Sequence, residues 1–410
     1  MAQKLKFGNG TWATKEGSTL AYNDENNNFK PLPFTTTRDS IATRVNKEGL
    51  IEVVGNDKPR IDYTDSADGV LLLENSATNL VTYSEDFSDS SWNKVNSSGS
   101  SLPTVTSNYG ISPDGTQNAD RIQVSRASGV GDYSSIYKSI TTSSSNRGLS
   151  VWLKSLSGTP TILITNNNGV YVSQQITTEW VRYELDLGVG TITELQLSVV
   201  GSNFVQGVSE SADFLAWGYQ LEIGIPTSYI PTSGSTVTRQ ADTANGAGNS
   251  EVFNDSEGVL FADISAFVGA GGGTRRIEVS NAVVASQYVR LQIANGDGSL
   301  YAIVNNGSQQ FLFNATSFDA ALSNKISLKY KQNDFSLFLN GFEVGSSNVG
   351  NTFSNGVLTQ ASFSSTNSEF YGNTKELGYY DTALTDEELE TLTSYRSLNE
   401  LVTELNLNTL

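Results

Sequence analysis

Neither cysteine nor histidine occurs in the 410 residues. Without cysteine there is no disulfide framework, no zinc-thiolate site and no thiol nucleophile. A chain that needs no disulfides can fold in a reducing cytoplasm. Without histidine the Ser–His–Asp triad is excluded, together with the commonest general base and the commonest metal ligand. Any metal site is then all-oxygen, which points to calcium or magnesium. Positive charge is scarce: 25 Lys and Arg stand against 43 Asp and Glu, a net charge of −18. Such a surface repels the phosphate backbone, so nucleic acid is not an expected partner. It also repels anionic membranes, and it favours solubility at high local density. No run of about 18 apolar residues is available to span a bilayer. The stretch Met1 to Gly10 lacks the apolar segment of a signal peptide, so assembly in a cytoplasm is expected.

What fills the chain instead is neutral and polar. Hydrophobic residues make up 37% and charged residues 17%, with Ser, Thr, Asn and Gly abundant. This composition suits an all-β protein with many turns, and the length allows two or three domains. The expected fold is two antiparallel β-sandwich jelly rolls in tandem, with an extended N-terminal arm and short C-terminal helices. Residues 1–70 are turn-rich, with Gly8-Asn9-Gly10, the polar run Asn23 to Asn28, and Pro31 and Pro33. They read as an arm or small β-subdomain ordered against a partner. Residues 71–240 show apolar stretches at the 8–12 residue spacing of sandwiches, such as Leu149–Leu153 and Leu195–Val199. Trp152 and Trp217 lie within such runs and are expected to face the core. Residues 241–250 read as a linker.

Residues 251–395 read as a second sandwich. Ile326, Leu328 and Tyr330 alternate, as do Phe335, Leu337 and Leu339, and Asn340-Gly341 supplies hairpin chemistry. Asp297-Gly298 and Asn306-Gly307 are similar signals. Thr385 with Glu388 is a capping box before Leu389 and Leu392. A second box, Ser397 with Glu400, opens a helix over 396–410. The terminal apolar stripe can pack on its own domain or on a neighbouring subunit.

Three ordered stretches carry a resemblance. The first is Phe34-Thr35-Thr36-Thr37-Arg38, Ala42-Thr43-Arg44-Val45-Asn46 and Pro59-Arg60-Ile61-Asp62-Tyr63. The second is Leu71-Leu72-Leu73-Glu74, Thr78-Asn79-Leu80 and Tyr83-Ser84-Glu85-Asp86-Phe87 with Trp92. The third is Trp217-Gly218-Tyr219-Gln220-Leu221-Glu222 and Thr227-Ser228-Tyr229-Ile230-Pro231-Thr232. Over residues 30–240 the chain resembles a recurrent module of tailed-bacteriophage virion proteins, among them tail fibres, appendages and head fibres. That module frames a jelly roll similar to carbohydrate-binding modules. Residues 251–395, through Lys325–Tyr330, Phe335–Gly341 and Glu376–Tyr380, look like a laminin-G or concanavalin-like sandwich. The resemblance implies a virion structural protein that binds host-surface glycans and contacts other virion proteins through the N-terminal arm. It also implies a homo-oligomer such as a trimer. A capsid decoration protein without a receptor and a polysaccharide depolymerase are the alternatives.

No catalytic residue is expected, because no motif sets two carboxylates across a cleft. Glu85 and Asp86, with Trp92, sit where similar jelly rolls begin near a structural calcium. The matching late segment, Phe214 to Gly218, lacks the usual acidic pair, so capping and turn roles compete with an ion. Asn295-Gly296-Asp297-Gly298-Ser299 reads as a hairpin turn rather than a calcium loop. Gly269–Gly273 is not a phosphate loop, since no Gly-Lys-Ser/Thr follows. Tyr133, Tyr137, Tyr171, Tyr288, Tyr301, Phe370 and Tyr371 are the available sugar-stacking aromatics, and for each a core role competes.

Overall fold

In strands successive side chains take opposite faces, so an alternating run commits one face to a core. Ile326, Leu328 and Tyr330 do this on Asn324–Lys331, opposite Leu339 and Leu337 of Phe335–Leu339. Asn340 and Gly341 then both take positive φ, 50° and 89°, which is the backbone a two-residue hairpin requires. The computed structural model describes residues 3–395 apart from 16, 21–30, 143–144, 168–169, 191–193, 270–272, 317 and 366–367. The run Asn23 to Asn28, most of Gly269–Gly273 and the helix expected over 396–410 lie outside the described residues.

The all-β sandwich class is as expected, with one short helix near the C-terminal end of the described chain. Two compact units form. A split unit comprises Met1–Gly49, Val53–Asn75 and Gln240–Leu410, and an inserted unit comprises Leu50–Glu52 and Ser76–Arg239.

The split unit packs two large sheets around one core. One sheet runs in the order Phe342–Ser347, Phe335–Leu339, Asn324–Lys331, Glu257–Ala266, Gly372–Tyr380, Val70–Leu73 and Ile61–Asp62, with Leu5–Gly8 also paired to Gly372–Tyr380. The other runs Ala13–Lys15, Ser18–Leu20, Phe34–Thr37, Thr243–Ala247, Gln360–Ser362, Arg275–Ser280, Gln287–Ile293, Leu300–Asn306 and Gln309–Ala315. The helix Asp386–Thr393 carries the expected capping box, and Leu389 seats on Val259, Phe261 and Phe338.

Two boundaries differ from expectation. Residues 1–70 are not a separate arm: Leu5–Gly8 is a sheet strand, with Phe7 opposite Leu377 and only 2% exposed. Residues 241–250 are not a linker: Thr243–Ala247 is a strand between Phe34–Thr37 and Gln360–Ser362. Each of these strands is short, and its partners lie far away in the chain, so no local periodicity announces it.

Buried charge ties these segments together. Arg38 donates to Asp242 at 2.8 Å and to the carbonyls of Ser40, Lys58 and Gly55. Arg60 donates to Glu74 at 2.7 Å and also to Asp242. The Glu74 amide donates to Asp242 at 3.0 Å. Burial alone lowers the Arg60 pKa, but the attraction of Asp242 and Glu74 outweighs it, so the guanidinium stays charged.

The inserted unit faces two five-stranded sheets across a second core. One has the order Asn93–Asn96, Tyr133–Ser139, Glu194–Val200, Thr161–Asn167, Val170–Gln175. The other has the order Ser101–Gly110, Ala119–Ser125, Ser211–Ile223, Ser145–Ser155, Val181–Gly190. Ile136, Leu197, Ile162 and Ile164 meet Leu149, Val151, Leu153, Phe214 and Tyr219 between them.

Phe7→Ala tests the placement of the N-terminal strand. It is expected to cost about 3–5 kcal/mol of stability, the usual result of emptying a buried phenylalanine site. Urea unfolding measures it, and an unchanged midpoint would mean a free arm.

Candidate functional site

A sandwich has two outer faces, and in the inserted unit one of them is closed. On the sheet containing Ser145–Ser155 and Ser211–Ile223, Trp152 and Trp217 point away from the core. They are buried all the same, 9% and 1% exposed, so the expectation that they face the core is corrected. Their cover is the segment after Ile223. Tyr229 packs its ring 4.5 Å from Trp217 and 5.4 Å from Trp152.

Side chains from the same face hold this strap by its backbone. Gln220 accepts from the Ile230 amide at 2.7 Å, and Glu222 accepts from the Thr227 amide at 2.9 Å and hydroxyl at 2.6 Å. Asn79 donates to the Ile230 carbonyl, and Ser84 accepts from the Thr232 amide, both at 2.9 Å. Pro226 passes so close to Gly148 that a Cβ there would lie 2.4 Å from the proline nitrogen.

The other outer face carries rings and small polar groups. On Tyr133–Ser139 the outward residues are Tyr133, Ser135 and Tyr137, which pair with Val200, Ser198 and Gln196. Leu163 and Ser173 continue the Ser198 row, and Tyr171 shares the face with Ser173 by alternation. Phe204 completes the arrangement from a loop. Its ring lies 6.1 Å from Tyr133 and 5.7 Å from Tyr171, edge-on to both. All three rings are half-buried, while Ser198 and Leu163 beneath them are fully covered.

The loop is placed by its backbone. Gly201 donates to Asp132 at 2.7 Å, Asn203 to Val130 at 2.8 Å and Phe204 to Gly201 at 3.0 Å. A Cβ at Gly201 would lie 2.4 Å from the Val130 oxygen, so glycine is needed for this approach. Among the described residues the one charged side chain on the outer face of these strands is Glu194, which accepts from Gln196 at 2.7 Å. The face offers apolar rings at half exposure, hydroxyls and an amide. It suits an uncharged ligand with apolar C–H faces and many hydroxyls.

The other sequence candidates scatter. Tyr137 stands on the same face as Tyr133. Tyr288 and Tyr301 lie on the split unit, half-buried. Phe370 is core, against Phe363, and Tyr371 is buried beneath the Arg275 guanidinium. Phe204 was not singled out by sequence reasoning. Its only signal is an isolated aromatic between the turn glycines Gly201 and Gly207.

Glu85 and Asp86 take turn and bracing roles. Asp86 accepts from the amides of Ser88 and Asp89 at 3.0 and 3.1 Å. Glu85 accepts from the Tyr229 hydroxyl at 2.8 Å and from the Asn118 amide at 3.2 Å. Asp120 accepts from the amides of Phe87 and Asn108. Both oxygens of Glu85 and of Asp120 are thus engaged. Among the described residues no group of three His, Cys, Asp or Glu is placed to hold an ion. Asp297 accepts from the Ser299 amide at 3.1 Å as a hairpin turn. No helix among the described residues is long and apolar enough to cross a membrane.

No family model and no curated protein matches the chain. Among solved structures it is similar to the CBM40 module of Ruminococcus gnavus IT-sialidase bound to α2,3-sialyllactose, at 17% identity and a TM-score of 0.31, over 37% of this chain and 94% of that one. It is also similar to domains LG4-5 of the mouse laminin α1 chain, at 12% identity and a TM-score of 0.24, over 63% and 91%. The tandem CBM22 domains of Paenibacillus barcinonensis Xyn10C align at 11% identity and a TM-score of 0.25, over 76% and 100%. The likeness is to β-sandwich modules of the carbohydrate-binding and laminin-G kind.

Burial raises the Glu85 pKa, the Tyr229 hydroxyl opposes the shift, and the charges of Asp114 and Asp120 add to it. A carboxyl raised on folding contributes stability that is fully present below its unfolded pKa and lost as pH rises through the folded value. Glu85→Gln is therefore expected to reduce the stability that the unit gains between neutral pH and the ordinary glutamate range. Urea midpoints of the two proteins across that interval measure it, and parallel profiles would contradict it.

Proposed function

We propose that this chain is a structural, glycan-binding component of a tailed-bacteriophage particle, and that its inserted unit holds a neutral host-surface glycan on the outer face of the Tyr133–Ser139 sheet. The row Tyr133–Phe204–Tyr171 is the observation that carries the glycan reading. A pyranose presents an apolar C–H face that stacks on such rings, and its hydroxyls suit the half-buried Ser173 and the tyrosine hydroxyls of the same face. The absence of lysine or arginine from this face, among the described residues, favours an uncharged sugar. The work is binding, with no turnover. Single sites of this kind are weak, and display on a homo-oligomer such as a trimer multiplies them, because avidity exceeds single-site affinity by about 10²–10⁴. The virion assignment rests on the three sequence stretches between residues 30 and 240. Residues 1–70 do not supply a free anchoring arm, since Leu5–Gly8 and Phe34–Thr37 are sheet strands.

Tyr133→Ala and Tyr171→Ala are expected to weaken binding to the purified surface polysaccharide of the host by roughly tenfold each, the scale of an aromatic anchor. Glycan microarrays followed by calorimetry measure this. Binding should persist at ~0.5 M salt, where screening acts beyond about 4–5 Å. Unchanged affinity in both variants would remove the site. Absence of the chain from purified particles by mass spectrometry would remove the virion role and leave the glycan site standing.

A further inference from the structure

The split unit carries a second face of different chemistry. In its nine-stranded sheet, Arg275–Ser280, Gln287–Ile293, Leu300–Asn306 and Gln309–Ala315 are consecutive neighbours. Ile277, Val279, Val289, Leu291, Ala302 and Val304 point into the core. The alternate residues therefore point outward. Register lines them up across the four strands: Arg276 opposite Gln292, Gln292 opposite Tyr301, and Tyr301 opposite Asn314. At the usual strand spacing this row is about 14 Å long. Beside it, Glu278 stands opposite Arg290.

The charges on this face are unusual for the chain. The outward residues of these four strands include two arginines and one carboxylate, in a protein of net charge −18. Arg290 is committed: its Nε donates to Glu278 at 2.6 Å, and its guanidinium lies 3.5 Å from the centre of the Tyr288 ring. Arg276 is half-buried and donates through Nε to Gln292 at 2.9 Å, which aligns the two side chains. Burial lowers the Arg276 pKa and the neighbouring Arg290 charge lowers it further, while the Glu278 carboxylate and Tyr288 oppose the shift. Gln292 and Tyr301 are half-buried and Asn314 is exposed, so the row is reachable.

We propose that this row binds an acidic glycan, with Arg276 taking a sugar carboxylate, Tyr301 stacking on a pyranose ring, and Gln292 and Asn314 bonding hydroxyls. Charge complementarity selects this occupant. A guanidinium beside a planar amide and a ring is matched by a sugar acid, and the acidic remainder of the chain repels any anion that fails to reach the row. The site is independent of the neutral-glycan face of the inserted unit.

The full chain titrated calorimetrically with an oligogalacturonate, with 3′-sialyllactose and with a neutral galactose oligomer tests this. At least one acidic probe is expected to bind, and to weaken at ~0.5 M salt. Arg276→Gln should reduce that affinity by at least about tenfold, as removal of a charge-assisted contact does, with Arg276→Lys intermediate. Tyr301→Ala should reduce it too, while Tyr133→Ala leaves it unchanged. Failure of both acidic probes overturns the proposal, as does equal binding of the neutral oligomer with the same dependence on Arg276. Loss in Tyr133→Ala would move the ligand to the inserted unit and also overturn it. If Arg276→Gln unfolds, Tyr301→Ala and the salt series decide.

Discussion

Gln220 and Glu222 point away from the core of the inserted unit, and both bind the backbone of the strap that crosses their sheet. Much depends on this choice. A sheet face that carries Trp152, Trp217 and Leu215 cannot be left to water without exposing a large apolar patch. The strap closes it with Tyr229 and satisfies the buried amide and carboxylate side chains at the same time. Closure over the central strands of that sheet leaves Tyr133, Tyr171 and Phe204 grouped and half-exposed on the outer face of the other. The proposed glycan face therefore lies on the sheet that has no strap.

The buried charges of the split unit do a related job over longer chain distances. Arg38, Arg60, Glu74 and Asp242 come from four separate segments and meet in one hydrogen-bonded cluster. Such a cluster is weak evidence for net stability, because desolvation offsets attraction. Its value is registry. Each guanidinium also donates to backbone carbonyls, Arg38 to Gly55 and Arg60 to Thr43, so turns with little apolar content are fixed in one arrangement. This explains why residues with almost no hydrophobic periodicity are nevertheless part of a sandwich.

Legibility followed locality. The alternation of Ile326, Leu328 and Tyr330, the Asn340-Gly341 hairpin and the Thr385–Glu388 cap were readable because each is decided within a few residues. The strand Thr243–Ala247 was not, since its neighbours Phe34–Thr37 and Gln360–Ser362 lie over a hundred residues away on either side. The tryptophans were misassigned because Ser211–Ile223 is buried on both faces and a register shift falls beside Trp217. Periodicity cannot tell the core side of such a strand from its strapped side. At the candidate site Tyr133 and Tyr171 were visible as strand aromatics, but their common face depends on pairing through two intervening strands. Phe204 belongs to no strand, and only the backbone contacts of its loop bring it over them.

Hydrogen–deuterium exchange of the full chain, with and without saturating host polysaccharide, tests the central claim most directly. The account predicts slowed exchange in residues 133–139, 170–175 and the loop around Phe204, with the strap over residues 225–232 unchanged. Protection confined to the strap or to its own sheet would contradict it, because that face would then be the one that opens to ligand.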